Sequence, residues 1–506
     1  MDSLRFALGV FPLLVVMGAC SSSPDPSPSR EAAVLPPLTS PVALTTTVTI
    51  APTHPRVASF DPSKSPNDLD SRAMLISDGW GTFTSGPGEA STDRTTDGSV
   101  APASGANRKR LVRFAHLADF QTADDESPTK LARFDGDVPL DAAFRPQESR
   151  ECRIDNAVVR TVNRLHQDAA LDFVLLAGDN VDSAQGNELD WFLSILGGNG
   201  GKPLACDSGS PNDPVPGPNN DGKDPFVPEG LAVPYYWVTG NHDVLVQGNF
   251  PTDAYHDAVV TGDMCTGGTT DYTAPGAPID DDNVIPDPRR ALLQRSDLIA
   301  RVMADESRSG PKGHGLGAYA QQTGKAFYTA DLAPSLRLIA LDTACETGGS
   351  DGMLRTADVE GFVKPELARA KADGKLVILA SHHADDSLGN GSGLGGAVQA
   401  DAVSPADWVA LLLANPHVIA HFAGHSHDHG VRFVGTPGGP GFWEVRTAAI
   451  ADYPNQFRVI EIWDEDNASI SIRAVSVDYA TENDPVAADG RALDIVDYAS
   501  HWGHDG

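Results

Sequence analysis

Apolar residues along this chain gather into short β-branched runs, separated by stretches with a helical repeat. Leu111 to Ala118, Phe173 to Ala177, Tyr235 to Thr239, Leu336 to Leu341, Leu376 to Ala380 and Val418 to Phe422 are near-continuous apolar runs, the pattern of buried strands. Phe442 to Thr447, Phe457 to Trp463 and Ser469 to Val475 add three more strands. Between the first two runs, Ile154, Val158, Val162 and Leu165 recur at helical spacing and predict an amphipathic helix covering one sheet face. Ser404-Pro405-Ala406-Asp407 is a helix start, with Pro in the first turn, and leads into Trp408, Leu411 and Leu412. Strands alternating with helices predict an α/β layered domain.

The pattern occupies residues 111–475, which we expect to form one catalytic domain. Residues 1–19 read as a signal peptide, because the apolar run Leu4 to Met17 is too short to cross a bilayer of about 30 Å. Met17-Gly18-Ala19-Cys20 followed by Ser21-Ser22-Ser23-Pro24 resembles a bacterial lipoprotein cleavage box, in which Cys20 becomes the lipidated first residue. An exported, membrane-anchored lipoprotein is therefore expected, on the periplasmic or cell-surface side. Residues 20–110, rich in Pro, Ser, Thr, Gly and Asp, are expected to be a flexible tether, although one stretch, Ala73 through Glu89, has enough apolar residues to dock on the domain surface. Residues 476–506 are expected to be a tail. Two inserts crowded with Gly, Pro, Asn and Asp, Lys202 to Gly230 and Met264 to Arg290, read as surface loops.

Charge narrows the partners. The chain carries 37 Lys and Arg against 69 Asp and Glu, a net charge of -32, with no basic cluster to attract polynucleotide phosphates. Nucleic acid polymers are not expected as partners. Oligomeric state is not legible. Beyond Cys20, the four cysteines Cys152, Cys206, Cys265 and Cys345 allow two disulfides in an oxidising compartment, in any of three pairings, and Cys206 and Cys265 sit in the inserts that gain most from a staple.

Five segments place oxygen and imidazole groups just after predicted strands, where an α/β sheet opens its crevice to ligands: His116 to Gln121, Gly178 to Asp182, Gly240 to Asp243, Ser381 to His383 and Gly424 to His427. Their order and context resemble the calcineurin-like metallophosphoesterase superfamily, whose signature runs D-x-H, GD-x-x-D, GNH[DE], a lone His and GH-x-H. The resemblance implies a four-layer α/β/β/α sandwich and a binuclear metal centre. Hydrolysis of a phosphoester needs a nucleophilic hydroxide at neutral pH and neutralised phosphoryl charge, both of which two divalent ions about 3.5–4 Å apart provide. Asp179 would bridge the ions, with Asp119 on the first. By resemblance, Asn241, His382 and His425 serve the second and His427 returns to the first. The His-Ser-His spacing puts two imidazoles about 7 Å apart on one side of an extended loop.

His242 is implied to protonate the leaving oxygen, oriented by Asp243 or Asp182, with Asp182 and His383 in supporting roles. Gln121 departs from the signature, standing where His is commonest. Its neutral carbonyl oxygen is a harder, weaker ligand that tilts the first site toward Mn, Fe(II) or Mg rather than Zn. The D-x-Q form occurs in some branches of the superfamily, including manganese-dependent enzymes acting on nucleotide diphosphate compounds. Phe144 to Glu148, Asn241 to Asn249 and Gly441 to Val445 resemble an exported bacterial branch of undefined substrate. The expected function is hydrolysis of a small phosphoester, diester or monoester, by a hydroxide bridging the metals. The alternative is a non-catalytic surface binding protein that retains the fold.

Overall fold

Two mixed β-sheets, packed face to face and flanked by helices, organise the computed structural model, which describes residues 32–136, 140, 142–209, 223–265, 267–306 and 310–503. The expected signal peptide and Cys20 lie outside the described residues. One sheet has five strands in the order Ile470–Asp478, Gln456–Asp464, Lys109–Leu117, Phe173–Leu176 and Tyr235–Tyr236, the last three mutually parallel. The other has six, in the order Tyr328–Ala333, Leu336–Ala340, Leu376–Ala380, Val418–Ala423, Gly441–Arg446 and Gly430–Gly435, with four parallel strands at its centre.

The near-continuous apolar runs have a direct cause. Side chains alternate across a strand, so a strand covered on both faces needs apolar residues at every position. Leu338, Ala340, Ile378, Ala380, Ala420 and Phe422 enter the core shared with the five-stranded sheet. Their neighbours Ile339, Val377, Leu379 and Val418 join a second cluster with Leu367, Trp408 and Leu412 from helices Lys364–Ala372 and Pro405–Leu413. Phe114 meets Phe422 edge-on at 5.4 Å between ring centroids, which fixes the contact between the sheets. Helix Glu151–Asp168 buries Ile154, Val158, Val162 and Leu165 as its spacing predicts. Ser404 caps Pro405–Leu413 by accepting from the Asp407 amide at 3.1 Å.

Sequence-based expectations fail where a segment borrows its core from the rest of the molecule. Described residues of the expected tether are folded: Val48–Pro52 pairs with Phe83–Pro87, and helix Leu69–Ser77 buries Leu75. These residues could not form a core alone. They are fastened to the domain because Arg160 donates to the Pro36 carbonyl at 2.6 Å, the Thr39 hydroxyl donates to Glu482 at 2.6 Å, and Leu44 bridges to Val477. The expected tail contains helix Pro485–Ala499, capped by Asp484, which buries Val486, Leu493, Ile495 and Val496. The inserts are anchored as well as exposed. Lys223 and Arg290 are buried, Lys223 against Asp125 and Arg290 against Asp124 at 3.0 Å. One disulfide joins Cys152 to Cys206, while Cys265 and Cys345 are free and buried.

Candidate metal centre

Both sheets deliver their chemistry at the carboxyl ends of parallel strands. Asp119, Asp179 and Asn241 follow Lys109–Leu117, Phe173–Leu176 and Tyr235–Tyr236 of the five-stranded sheet; His382, His425 and His427 follow Leu376–Ala380 and Val418–Ala423 of the six-stranded one. Oxygen donors thus come from one sheet and imidazoles from the other, and they meet at one edge of the seam between the sheets. His382 Nε2 lies 3.0 Å from Asp179 Oδ2 and 3.7 Å from Asp119 Oδ1, and His427 Nε2 lies 3.3 Å from Asp119 Oδ1. The His425 ring is 5.2 Å from that of His382.

The turns that achieve this are tight. Asp119, Gln121, Asp179, His425 and His427 all adopt left-handed backbone conformations, with φ between 44° and 69°. Gly178 takes φ +93°, and a Cβ at Gly240 would stand 2.0 Å from Asp179 Oδ1, so only glycine lets these loops pass each other. Backbone amides finish the arrangement: His242 N donates to Asp179 Oδ1 at 2.8 Å, and His425 N to Asp119 Oδ2 at 3.0 Å.

The unsatisfied atoms test whether this constellation fits metal ions. Gln121 Oε1, Asn241 Oδ1 and His382 Nε2 are buried without a hydrogen-bond partner, although His382 Nε2 is close to Asp179. An orphaned buried acceptor costs about 1–3 kcal/mol. All three are atoms a divalent ion would take. Their opposite ends are committed: Asn241 Nδ2 donates to the Gly248 carbonyl at 3.0 Å, and His382 Nδ1 to the Ala177 carbonyl at 2.8 Å. A ring nitrogen held by a carbonyl fixes the tautomer and frees the other nitrogen as a ligand. The donor set fits.

Charge leads to the same conclusion. Burial opposes ionisation of Asp179, but His382 and His242 outweigh it and hold its carboxyl well below the usual range. Burial likewise opposes protonation of His382 and His427, yet the acids beside them win: Asp179 and Asp119 push His382 up to about 9, and Asp119 and Asp452 push His427 up to about 10. The pair of carboxylates demands positive charge here.

Other expected site residues take more definite positions. His242 is partly exposed, and its Nδ1 meets the main-chain oxygen of Asp182 at 2.6 Å and the Asp182 carboxylate at 3.7 Å. Asp243 does not touch that ring. Its carboxylate accepts from the amides of Gly240, Asn180 and Val181 and from Asn180 Nδ2, so it braces the loops and leaves orientation of His242 to Asp182. His383 uses both ring nitrogens, with Thr343 Oγ1 at 2.8 Å and the Ser350 carbonyl at 2.9 Å, which suits a supporting place.

Four residues were missed as site groups. Asp452 meets His427 Nδ1 at 2.5 Å and is itself paired with Arg145 at 2.6 Å. Lys130, fully buried, lies 2.6 Å from Asp182 and 2.9 Å from Glu148. Arg145 and Glu148 stand in the Phe144 to Glu148 stretch that carried the narrower family resemblance, and that stretch was the available signal. Lys130 and Asp452 had none. Three further acidic groups, Asp124-Asp125-Glu126, Asp280-Asp281-Asp282 and Asp385-Asp386-Glu444, could hold a metal by geometry. Each already faces cationic side chains, the first Lys223 and Arg290, the second Arg133 and the third Arg432.

Comparison with known proteins follows the same line. The calcineurin-like phosphoesterase family matches residues 112–429. No curated protein matches the sequence. Among solved structures, a dimetal phosphatase from Danio rerio is similar over 74% of this chain and 100% of its own, at 13% identity and a TM-score of 0.41. The sulfate thiohydrolase SoxB from Thermus thermophilus, in complex with glycerol, is similar over 78% of this chain and 61% of its own, at 11% identity and a TM-score of 0.30. Likenesses this distant carry no argument about activity. The family match spans more than half of the 506 residues, and the chain belongs to the calcineurin-like phosphoesterase family, as a metal-dependent hydrolase of phosphoric esters.

Proposed function

We propose that the protein hydrolyses small phosphoesters, with a lean toward diesters, at a centre of two divalent ions. Asp119, Gln121, Asp179 and His427 would hold one ion, and Asp179, Asn241, His382 and His425 the other. Such ions supply Lewis acidity, activating water at neutral pH and offsetting charge on the phosphoryl oxygens. The observation that carries this proposal is the pair of buried, unpartnered oxygens Gln121 Oε1 and Asn241 Oδ1, beside His382 Nε2 and two carboxylates.

The chain's own residues have distinct tasks. Asp119 and Asp179 bring the negative charge that binds cations, and the amides of His425 and His242 lock the carboxylates in place. His242 gives its Nδ1 proton to the Asp182 carbonyl as a hydrogen bond, so Nε2 is the atom from which a proton passes to the departing alcohol oxygen. Lys130 and Gln247 hold the Asp182 carboxylate, at 2.6 and 3.0 Å, and keep this residue still. Asp452 steadies His427 from behind, as carboxylates commonly do for ligating imidazoles.

The first ion would be Mn or Fe(II), since Gln121 supplies an amide oxygen where imidazole would favour Zn. On this reading the protein would fall in a branch with D-x-Q in place of D-x-H. Export and anchoring through a lipid on Cys20, with the substrate met outside the cytoplasm, complete the proposal. The test is the metal content of protein reconstituted with Mn, Fe, Mg or Zn, beside rates on bis-p-nitrophenyl phosphate and p-nitrophenyl phosphate. Two ions per chain are expected, with Gln121→His moving the first site toward Zn. A single ion, or an unchanged preference in the variant, would contradict the assignment.

A further inference from the structure

One cavity among the described residues is lined by none of the metal-cluster residues. It measures about 500 Å³, within the range of small-molecule sites, which runs from about 300 to 1,000 Å³. Four separated stretches and Asp125 build it: helix Leu69–Ser77, the segment from Phe144 to Arg150, the insert between Thr270 and Ile279, and helix Pro485–Ala499. Leu69, Ile76, Phe144, Ile279, Val486 and Leu493 give it an apolar wall.

Its charged groups are unequal. Asp125 is taken by Lys223 and the Tyr272 hydroxyl, Asp489 by Arg150 at 2.9 Å, and Arg145 by Asp452. Arg150 has committed Nε to Asp489 and Nη1 to Ser149. Arg72 is different. Although it lines the cavity, its side chain makes no hydrogen bond or ion pair with any described residue. Burial, and then Arg150, pull its guanidinium below the usual arginine value, against a weaker opposing pull from Tyr272, Asp489 and Asp68. A guanidinium in contact with no carboxylate, beside a second guanidinium and over an apolar wall, gains from an anion that joins it. An arginine fork matches carboxylate and phosphate oxygens in pairs.

We propose that this cavity is a binding site for a small amphipathic anion, whose carboxylate or phosphate head pairs with Arg72 and whose apolar body lies against Leu69, Ile76 and Leu493. It owes nothing to the metal centre's ligands. Its back wall does include Arg145, which continues through Asp452 to His427.

Calorimetric titration of the metal-loaded protein with octanoate, octyl phosphate and octanol tests the proposal. At least one of the two anions should bind wild type and Asp179→Asn alike, the stronger one naming the head group, and octanol should bind about tenfold more weakly or worse. Arg72→Met should weaken that anion by about tenfold or more while turnover of bis-p-nitrophenyl phosphate stays at the wild-type rate. Ala73→Trp, at an exposed helix position in the cavity lining, should abolish binding with Arg72 intact. The proposal is overturned if neither anion binds wild type, if Arg72→Met or Ala73→Trp binds as wild type does, or if Asp179→Asn removes the binding, which would move the anion to the metal cluster.

Discussion

Strained backbone and unpaired atoms coincide at single residues here. Asp119, Gln121, Asp179, His425 and His427 hold left-handed conformations that cost on the order of 1 kcal/mol or more each, and they are the residues that the spacing of the motifs singled out. Their identities were legible because each sits at a fixed offset from a strand end, Asp179 and His425 directly after a glycine. Asp452 and Lys130 were not, since they reach the site from loops whose position only the folded chain defines. A second kind of buried group sets a pH limit. His116 and His421 are buried; burial first, with help from Arg458, brings His116 down to about 3, and burial lowers His421 too. A base depressed in the fold contributes stability above its unfolded value near 6.5, and that stability is lost as pH falls toward the folded value. Denaturant unfolding from pH 6 to 4 should therefore cost wild type about 1.4 kcal/mol per pH unit more than His116→Gln. Parallel curves would show that His116 does not titrate in this way.

Strands and helices with an internal signal were readable; those completed by a neighbour were not. The parallel strands ending at Leu117, Leu176, Ala380 and Ala423 stood out because both of their faces are buried, which leaves no polar position to blur the run. Tyr328–Ala333 and Gly430–Gly435 occupy the edges of the six-stranded sheet, carry mixed residues and escaped notice. Helix Pro485–Ala499 escaped as well, because its apolar residues acquire meaning only against the domain surface. Helix Pro405–Leu413, in contrast, announces its start at Ser404. That cap is exposed and independent of the site, so Ser404→Ala should cost about 1 kcal/mol in chemical denaturation and leave activity unchanged. A loss of activity at unchanged stability would tie this helix to the site in a way the fold does not suggest.

At the scale of the molecule, the sheets form the frame and the inserts and the described leader residues are secured to it. The link from Cys152 in helix Glu151–Asp168 to Cys206 in the first insert closes a loop of 54 residues' separation. In the chain-entropy account such a closure is worth about 4 kcal/mol. Cys206→Ser, compared with oxidised wild type, should lower unfolding stability by about 2–4 kcal/mol, and a reductant should have little further effect on the variant. Equal stability of the two proteins would place the anchoring of this insert in the Lys223 and Arg290 ion pairs instead. The net charge of -32 was informative about partners and silent about architecture, since the acids that matter are buried singly beside Arg145, Lys130 or the histidines rather than displayed as a patch. The central claim concerns one carboxylate between the sheets. Turnover of bis-p-nitrophenyl phosphate by Mn-reconstituted wild type and Asp179→Asn tests it most directly: a fall of about 10³-fold, equivalent to about 4 kcal/mol of lost transition-state stabilisation, is predicted, and equal rates would contradict it.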